Sequence, residues 1–264
     1  MKPLLIGGSI TLAFAAMACK RASNSAASSA TTSSPPSSEA PVASPAADQA
    51  KAEAEAEAKA AEVADAKRER FRQSMESGYA SFRKKDIAGT FATLEGVPDE
   101  FKSEPEFINL RGACHVENRD FAKALNDFSE ASRKSPEDAS VRFNLAEVYF
   151  VTRRWDEAIE GFQQAKQRAG ADSDAALRAL IDFKLMLCEA GKGDAEAFDR
   201  LAAANVAAGD SLLAAYTRAA MGFHSGDENG ARDILADAAE KFPQSSERAP
   251  WHDTMIEFGY LPRP

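Results

Sequence analysis

Between residues 105 and 172 the small and large apolar positions form two blocks that superimpose at an offset of 34 residues without a gap. Gly112 aligns with Ala146, His115 with Tyr149 and Phe121 with Trp155; Ala124 then aligns with Ala158, Phe128 with Phe162 and Ala131 with Ala165. Small residues recur where helices would touch, and large ones fill the space between. No run of alternating β-branched residues is long enough to predict a strand. A fixed period of this length predicts stacked helical hairpins, each needing its neighbour to bury its apolar face.

In the second block, Leu145-Ala146, Tyr149, Trp155-x-x-Ala158, Phe162 and Ala165, with Pro136 closing the unit before, carry a family resemblance. They resemble the tetratricopeptide repeat, whose pattern reads Leu-Gly, Tyr, Gly-x-Tyr-x-x-Ala, Phe, Ala and a closing Pro. A further unit spans 212–245, with Ala219, Gly226, Ala231, Ala238 and Pro243 at matching positions. The intervening unit, about 173–211, must hold an insertion, because Pro136 to Pro243 exceeds three periods by five residues. It is read as a long first helix over Ala175–Ala190 and a turn at Gly191–Asp194. Residues 71–104 fit at Gly78, Ile87 and Leu94 and depart at Val97 and Lys102. Residues 246–264, with Trp251, Met255, Ile256, Phe258 and Tyr260, predict a C-terminal capping helix that closes the last apolar face. The resemblance implies an all-α, right-handed superhelix of about five hairpins over 73–245, plus that cap. Ser103-x-x-Glu106 has the spacing of a capping box, and Asp210-Ser211 can cap a helix opening at Leu212.

The N-terminal part has a different composition. Lys2 is followed by fifteen uncharged residues, Leu4 to Ala18, ending in Ala16-Met17-Ala18-Cys19. One positive charge, a short apolar stretch and a small-residue end predict a signal peptide over 1–18. Cys19 directly after Ala18 resembles the bacterial lipobox, which implies a diacylated thiol at that position. Ala16 stands where the usual lipobox has Leu, and ordinary cleavage at the same bond is the alternative. Lys20 in place of Asp implies, by the same resemblance, an outer-membrane lipoprotein facing the periplasm. Residues 19–50 read as a disordered tether: 24 of the 31 residues from 20 to 50 are Ala, Ser, Pro or Thr, with almost nothing to bury. Residues 51–72, rich in Ala, Glu and Lys, predict a polar helix. Without apolar a and d positions it is not a coiled coil.

Charge narrows the function. The net charge is −9, and residues 73–264 carry 23 basic and 33 acidic side chains. An acidic body without a basic stripe argues against nucleic acid, since phosphate neutralisation needs clustered Lys and Arg. Only three histidines, His115, His224 and His252, are present; His224 has no nearby Cys or second His, which argues against a metal ligand there, and no Gly-rich phosphate loop is present. No cofactor and no catalytic residues are expected. Cys114 and Cys188 occupy equivalent places two repeats apart. Stacked helices stand about 8–10 Å apart, beyond the ~7 Å reach of a disulfide, so both are expected to be buried thiols.

The first helices of tetratricopeptide arrays line an inner groove, and the resemblance assigns this one Tyr79, Phe82, Phe143, Glu147, Phe150, Phe183, Tyr216 and Phe223. Met75, Asn109, Ala113, Val116, Val151, Leu187, Leu213 and His224 share those positions. The expectation is a non-enzymatic protein-binding module, lipid-anchored in the cell envelope. It takes a basic and apolar partner segment in an apolar groove with an acidic surround. The alternative for these rings is that several belong to the core or pack against the long polar helix. The alternative for the whole is an envelope spacer or self-associating scaffold.

Overall fold

A computed structural model describes residues 45–169 and 175–263. The signal peptide, Cys19 and the tether up to residue 44 lie outside the described residues. Among the described residues, all regular structure is helical. It forms five hairpins and a final helix. They are α1 (Pro45–Arg83) with α2 (Ile87–Glu95), α3 (Pro105–Glu117) with α4 (Phe121–Lys134), and α5 (Ala139–Val151) with α6 (Trp155–Arg168). Then follow α7 (Ala175–Lys192) with α8 (Ala195–Val206), α9 (Leu212–Ser225) with α10 (Glu228–Lys241), and α11 (Ser245–Phe258). A single 3₁₀ turn, Asp99–Phe101, joins the first hairpin to the second.

The 34-residue period reappears as turn geometry. In each hairpin but the third, an Asp immediately before the second helix caps it. Asp86, Asp120, Asp194 and Asp227 accept from the backbone N–H three residues on, which satisfies one of the amides a helix start leaves unpaired. The residue before each cap lies in the left-handed region. That residue is Lys85 (φ 61°), Arg119 (φ 59°) and Arg153 (φ 60°) in the first three hairpins, and Gly193 and Gly226 in the last two. The expected capping box at Ser103 does not form: Glu104 is the N-cap residue of α3 and makes no side-chain cap bond. Pro105 at the first helical position, where no N–H partner is needed, starts that helix. Ser211 does cap α9, accepting from the Ala214 amide at 3.2 Å.

Small residues set how closely paired helices approach. A Cβ on Gly112 would stand 2.8 Å from the Phe128 ring, and one on Gly161 2.8 Å from the Ala146 methyl. The core divides into two clusters that meet at α5. Val141 and Val148 face the first two hairpins, while Phe143, Ala146 and Phe150 face the last three. This nearest-neighbour packing is what a repeat stack requires. Cys114 and Cys188 are buried and unpaired; burial pushes the Cys114 thiol up to about 12 and Cys188 upward as well.

Two expectations about helices are corrected. The polar helix of 51–72 does not stop at the first repeat. It begins at Pro45, inside the expected tether, and continues through Arg83 as one helix of 39 residues. Its Ala-, Glu- and Lys-rich sequence favours helix throughout, and its side chains first become buried at Phe71. The C-terminal capping helix covers more than the last hairpin: it lies across α5, α7 and α9, the first helices of three hairpins. Trp251, Met255 and Phe258 fall on one edge over two turns, and that edge needs a long apolar trough.

Candidate functional site

The first helices of the last three hairpins form that trough. Phe143 and Phe150 of α5, Phe183 of α7 and Tyr216 of α9 sit along its floor, and α11 covers them. Trp251 lies between Phe183 and Tyr216, with ring centroids 5.6 Å and 5.9 Å away. Phe258 lies between Phe150 and Trp155, at 6.2 Å and 5.7 Å. Beyond the end of α11, Tyr260 stacks on Phe223 at 5.6 Å, and its hydroxyl is 3.2 Å from His224 Nδ1. Aromatic pairs at such separations contribute about 0.5–1.5 kcal/mol beyond area burial.

Six of the eight expected groove residues are therefore brought together, but as an occupied site. Phe143, Glu147, Phe150, Phe183 and Tyr216 are buried, with at most 3% exposure, and only Phe223 keeps partial access. An open apolar groove is replaced by one filled from within, because exposed rings in a row would leave apolar surface in water. Tyr79 and Phe82 are not part of it. Both pack in the separate cluster of the first two hairpins, Phe82 buried and Tyr79 partly so. Asn109 accepts from Asn144 at 3.0 Å across α3 and α5, and it also hydrogen-bonds Tyr79, whose phenol burial raises.

One charged group lies at the trough floor. Lys184 Nζ stands 3.0 Å from Glu147 Oε1 and 3.5 Å from Glu257 Oε2 of α11. It also stands 4.7 Å from the Phe150 ring centroid. Burial would lower the Lys184 ammonium, but the two carboxylates outweigh it and the net direction is upward. Two acids share one cation. Burial pushes the Glu257 carboxyl up to about 8 against the pull of Lys184, with Glu147 adding repulsion. Burial raises Glu147 too. Glu257 Oε1 is buried without a hydrogen-bond partner.

Lys184 and Glu257 were not among the residues singled out from the sequence. The signal for Lys184 is present there: it is a lone charge with Leu180, Ile181, Leu187 and Cys188 three and four residues away on the same helix. A lysine so placed must be buried, and a buried ammonium needs a carboxylate. Its distant partner is visible only in three dimensions. Elsewhere Arg111 pairs with Asp127 at 2.6 Å and 2.9 Å. His115 lies 3.7 Å from the same carboxylate, and burial lowers its pKa. Among the described residues no group of acids, histidines and cysteines is arranged to hold a metal ion, and no helix is long and apolar enough to cross a membrane.

A match to a known repeat family agrees with the hairpin architecture. A family profile described as Tetratricopeptide repeat matches residues 115–181, from the end of α3 into α7. No curated protein matches the chain. Among solved structures, a chain titled MamA AMB-1 is similar over 72% of this chain and 98% of its own length. Its identity is 14% and its TM-score 0.43.

Proposed function

We propose that this protein is a non-catalytic partner-binding module whose trough receives a helix, with α11 as the resident occupant. The repeat type that matches residues 115–181 is one that scaffolds protein–protein contacts. The observation that carries the reading is the seating of α11. A helix is docked on the first-helix face through two aromatic anchors, yet it is poorly made for its place. Pro250 lies inside it and no side chain caps its start. A proline in a helix interior costs about 3 kcal/mol. Such an occupant yields to a better helix by competition.

The address of the module rests on sequence. Lys2, the apolar stretch Leu4–Ala18 and Cys19 support export and lipid attachment at Cys19, with the body held at the envelope membrane. The alternative, an envelope spacer, draws on the exposed half of α1, whose side chains from 51 to 70 are all solvent-facing.

The test is a reversible lock on α11. Cysteines introduced as His224→Cys and Tyr260→Cys, whose parent side chains touch, are joined by a short cleavable thiol linker. Photo-crosslinkers near Phe223 then record partners in cells. A partner captured by the free form, lost on locking and regained on cleavage supports the trough as the binding site. Capture that ignores the lock, or no capture at all, overturns it. Separately, Cys19→Ser is expected to abolish fatty-acid labelling and release the body to soluble fractions; unchanged membrane association refutes the anchor.

A further inference from the structure

The trough specifies the partner's chemistry. Its floor contributes one buried cation, Lys184, and one buried carboxylate, Glu147, 3.0 Å apart, so the floor is already neutral. Any charge brought by the occupant is surplus, and an unpaired buried charge is strongly unfavourable. α11 nevertheless brings Glu257, a second carboxylate on Lys184, and each acid is left with one buried oxygen, Glu147 Oε1 and Glu257 Oε1, without a hydrogen-bond partner. Asp253 of the same helix and Glu147 both repel it. The apolar contacts are by contrast well matched. Trp251 fills the Phe183–Tyr216 slot, Phe258 fills the Phe150–Trp155 slot, and Met255 between them is fully buried.

Resting on the reading of the trough as a helix receptor, we infer that its partner is an amphipathic helix with a defined buried edge. That edge reads aromatic, methionine or leucine, neutral hydrogen-bonding group, aromatic at relative positions 0, 4, 6 and 7. α11 matches it at every position but one, presenting an acid where the partner presents an amide or hydroxyl. An amide at position 6 donates to Glu147 and accepts from Lys184, so it completes the polar pair without adding charge. The mismatch makes α11 displaceable; the matched anchors keep the apolar floor covered until the partner arrives.

The inference is tested with synthetic fluorescent peptides spanning residues 243–262, all carrying Pro250→Ala so that helix formation does not limit binding. One retains the glutamate, one carries Glu257→Gln, and one carries Trp251→Ala with Phe258→Ala. Each is titrated by anisotropy against the full chain bearing Trp251→Ala, which loosens its own α11, with circular dichroism confirming the helical fold. At pH 8.5 the Gln peptide is expected to bind at least tenfold more tightly than the Glu peptide. The gap should narrow at pH 5.5, and the peptide without aromatics should lose at least tenfold. Equal binding of the Gln and Glu peptides at pH 8.5 overturns the inferred edge while leaving the receptor reading intact. No saturable binding by either peptide overturns both. The full chain bearing Met255→Ala and the unmodified chain, titrated in parallel, give the same Gln-to-Glu ratio at different overall affinity. Either decides the matter if Trp251→Ala unfolds the protein.

Discussion

Lys184 Nζ and Glu257 Oε2 lie 3.5 Å apart with 73 residues between them in the chain, both side chains buried. This pair joins the fourth hairpin to the C-terminal helix within the aromatic contact between them. The same ammonium stands 3.0 Å from Glu147, so two buried carboxylates share one cation.

Removing the cation should show how much depends on it. Lys184→Met leaves Glu147 and Glu257 facing each other in a dry site. Breaking a buried ion pair from one side costs about 3–5 kcal/mol, and denaturant unfolding is expected to report a loss of that order. Adding Glu147→Gln and Glu257→Gln to Lys184→Met should recover most of it. Failure to recover would mean the lysine stem, not its charge, holds α11.

The docking of α11 should weaken as pH rises. Glu257 has a folded value of about 8, above the 4.5 of an unhindered glutamate, so the folded state keeps a proton that the unfolded state gives up. Its contribution is fully present below about pH 4.5 and is lost as pH climbs through 8; Glu147, also raised, acts in the same direction. Hydrogen exchange of α11 amides, corrected for intrinsic rates, is expected to report less protection at pH 8.5 than at pH 5.5. Glu257→Gln should flatten that difference, and an unchanged slope would remove Glu257 as its source.

The left-handed turns give an opposed pair of outcomes. Gly226 at φ 89° carries no side chain, so Gly226→Ala should destabilise by about 1–2 kcal/mol. Arg119 already bears that strain at φ 59°, and its guanidinium stacks on Phe121 at 5.2 Å. Arg119→Gly relieves the strain while losing a contact worth about 0.5–1 kcal/mol. It should shift the melting temperature by no more than about 2 °C. A large loss would show that the arginine's stacking outweighs its backbone strain.

Close helix approach is testable at Gly112. A methyl there meets the Phe128 ring at 2.8 Å, and overpacking of this kind costs about 1–3 kcal/mol. Thermal unfolding of Gly112→Ala should fall accordingly. Phe128→Leu in the same chain should return part of the loss.

The hairpins were readable in the sequence because each is a local event. Small-residue positions such as Gly112 and Ala146 recur at one offset, and short-range chemistry decides them. The buried aromatics of the trough were readable as a set for the same reason: Phe143, Phe183 and Tyr216 occupy equivalent register positions, as do Phe150 and Phe223. What the register did not contain was their cover. Trp251, Met255 and Phe258 read equally well as a helix for the end of the stack or for its inner face. Only the distant fit with Phe183, Tyr216 and Lys184 separates the two. Tyr79 and Phe82 failed as groove residues because α11 does not reach the first hairpin, and no repeat period encodes how far a terminal helix extends.

The unbroken α1 has a mechanical consequence. At about 1.5 Å per residue, its 39 residues form a rod about 58 Å long. The inner end of the rod is clamped by Phe71, Met75 and Phe82 in the core. A rod that enters the body as its own first helix has no joint at which to swivel. It passes on direction as well as distance. Whatever grips its outer end therefore aims the repeat stack, as a handle aims a tool, and sets which way the aromatic trough faces.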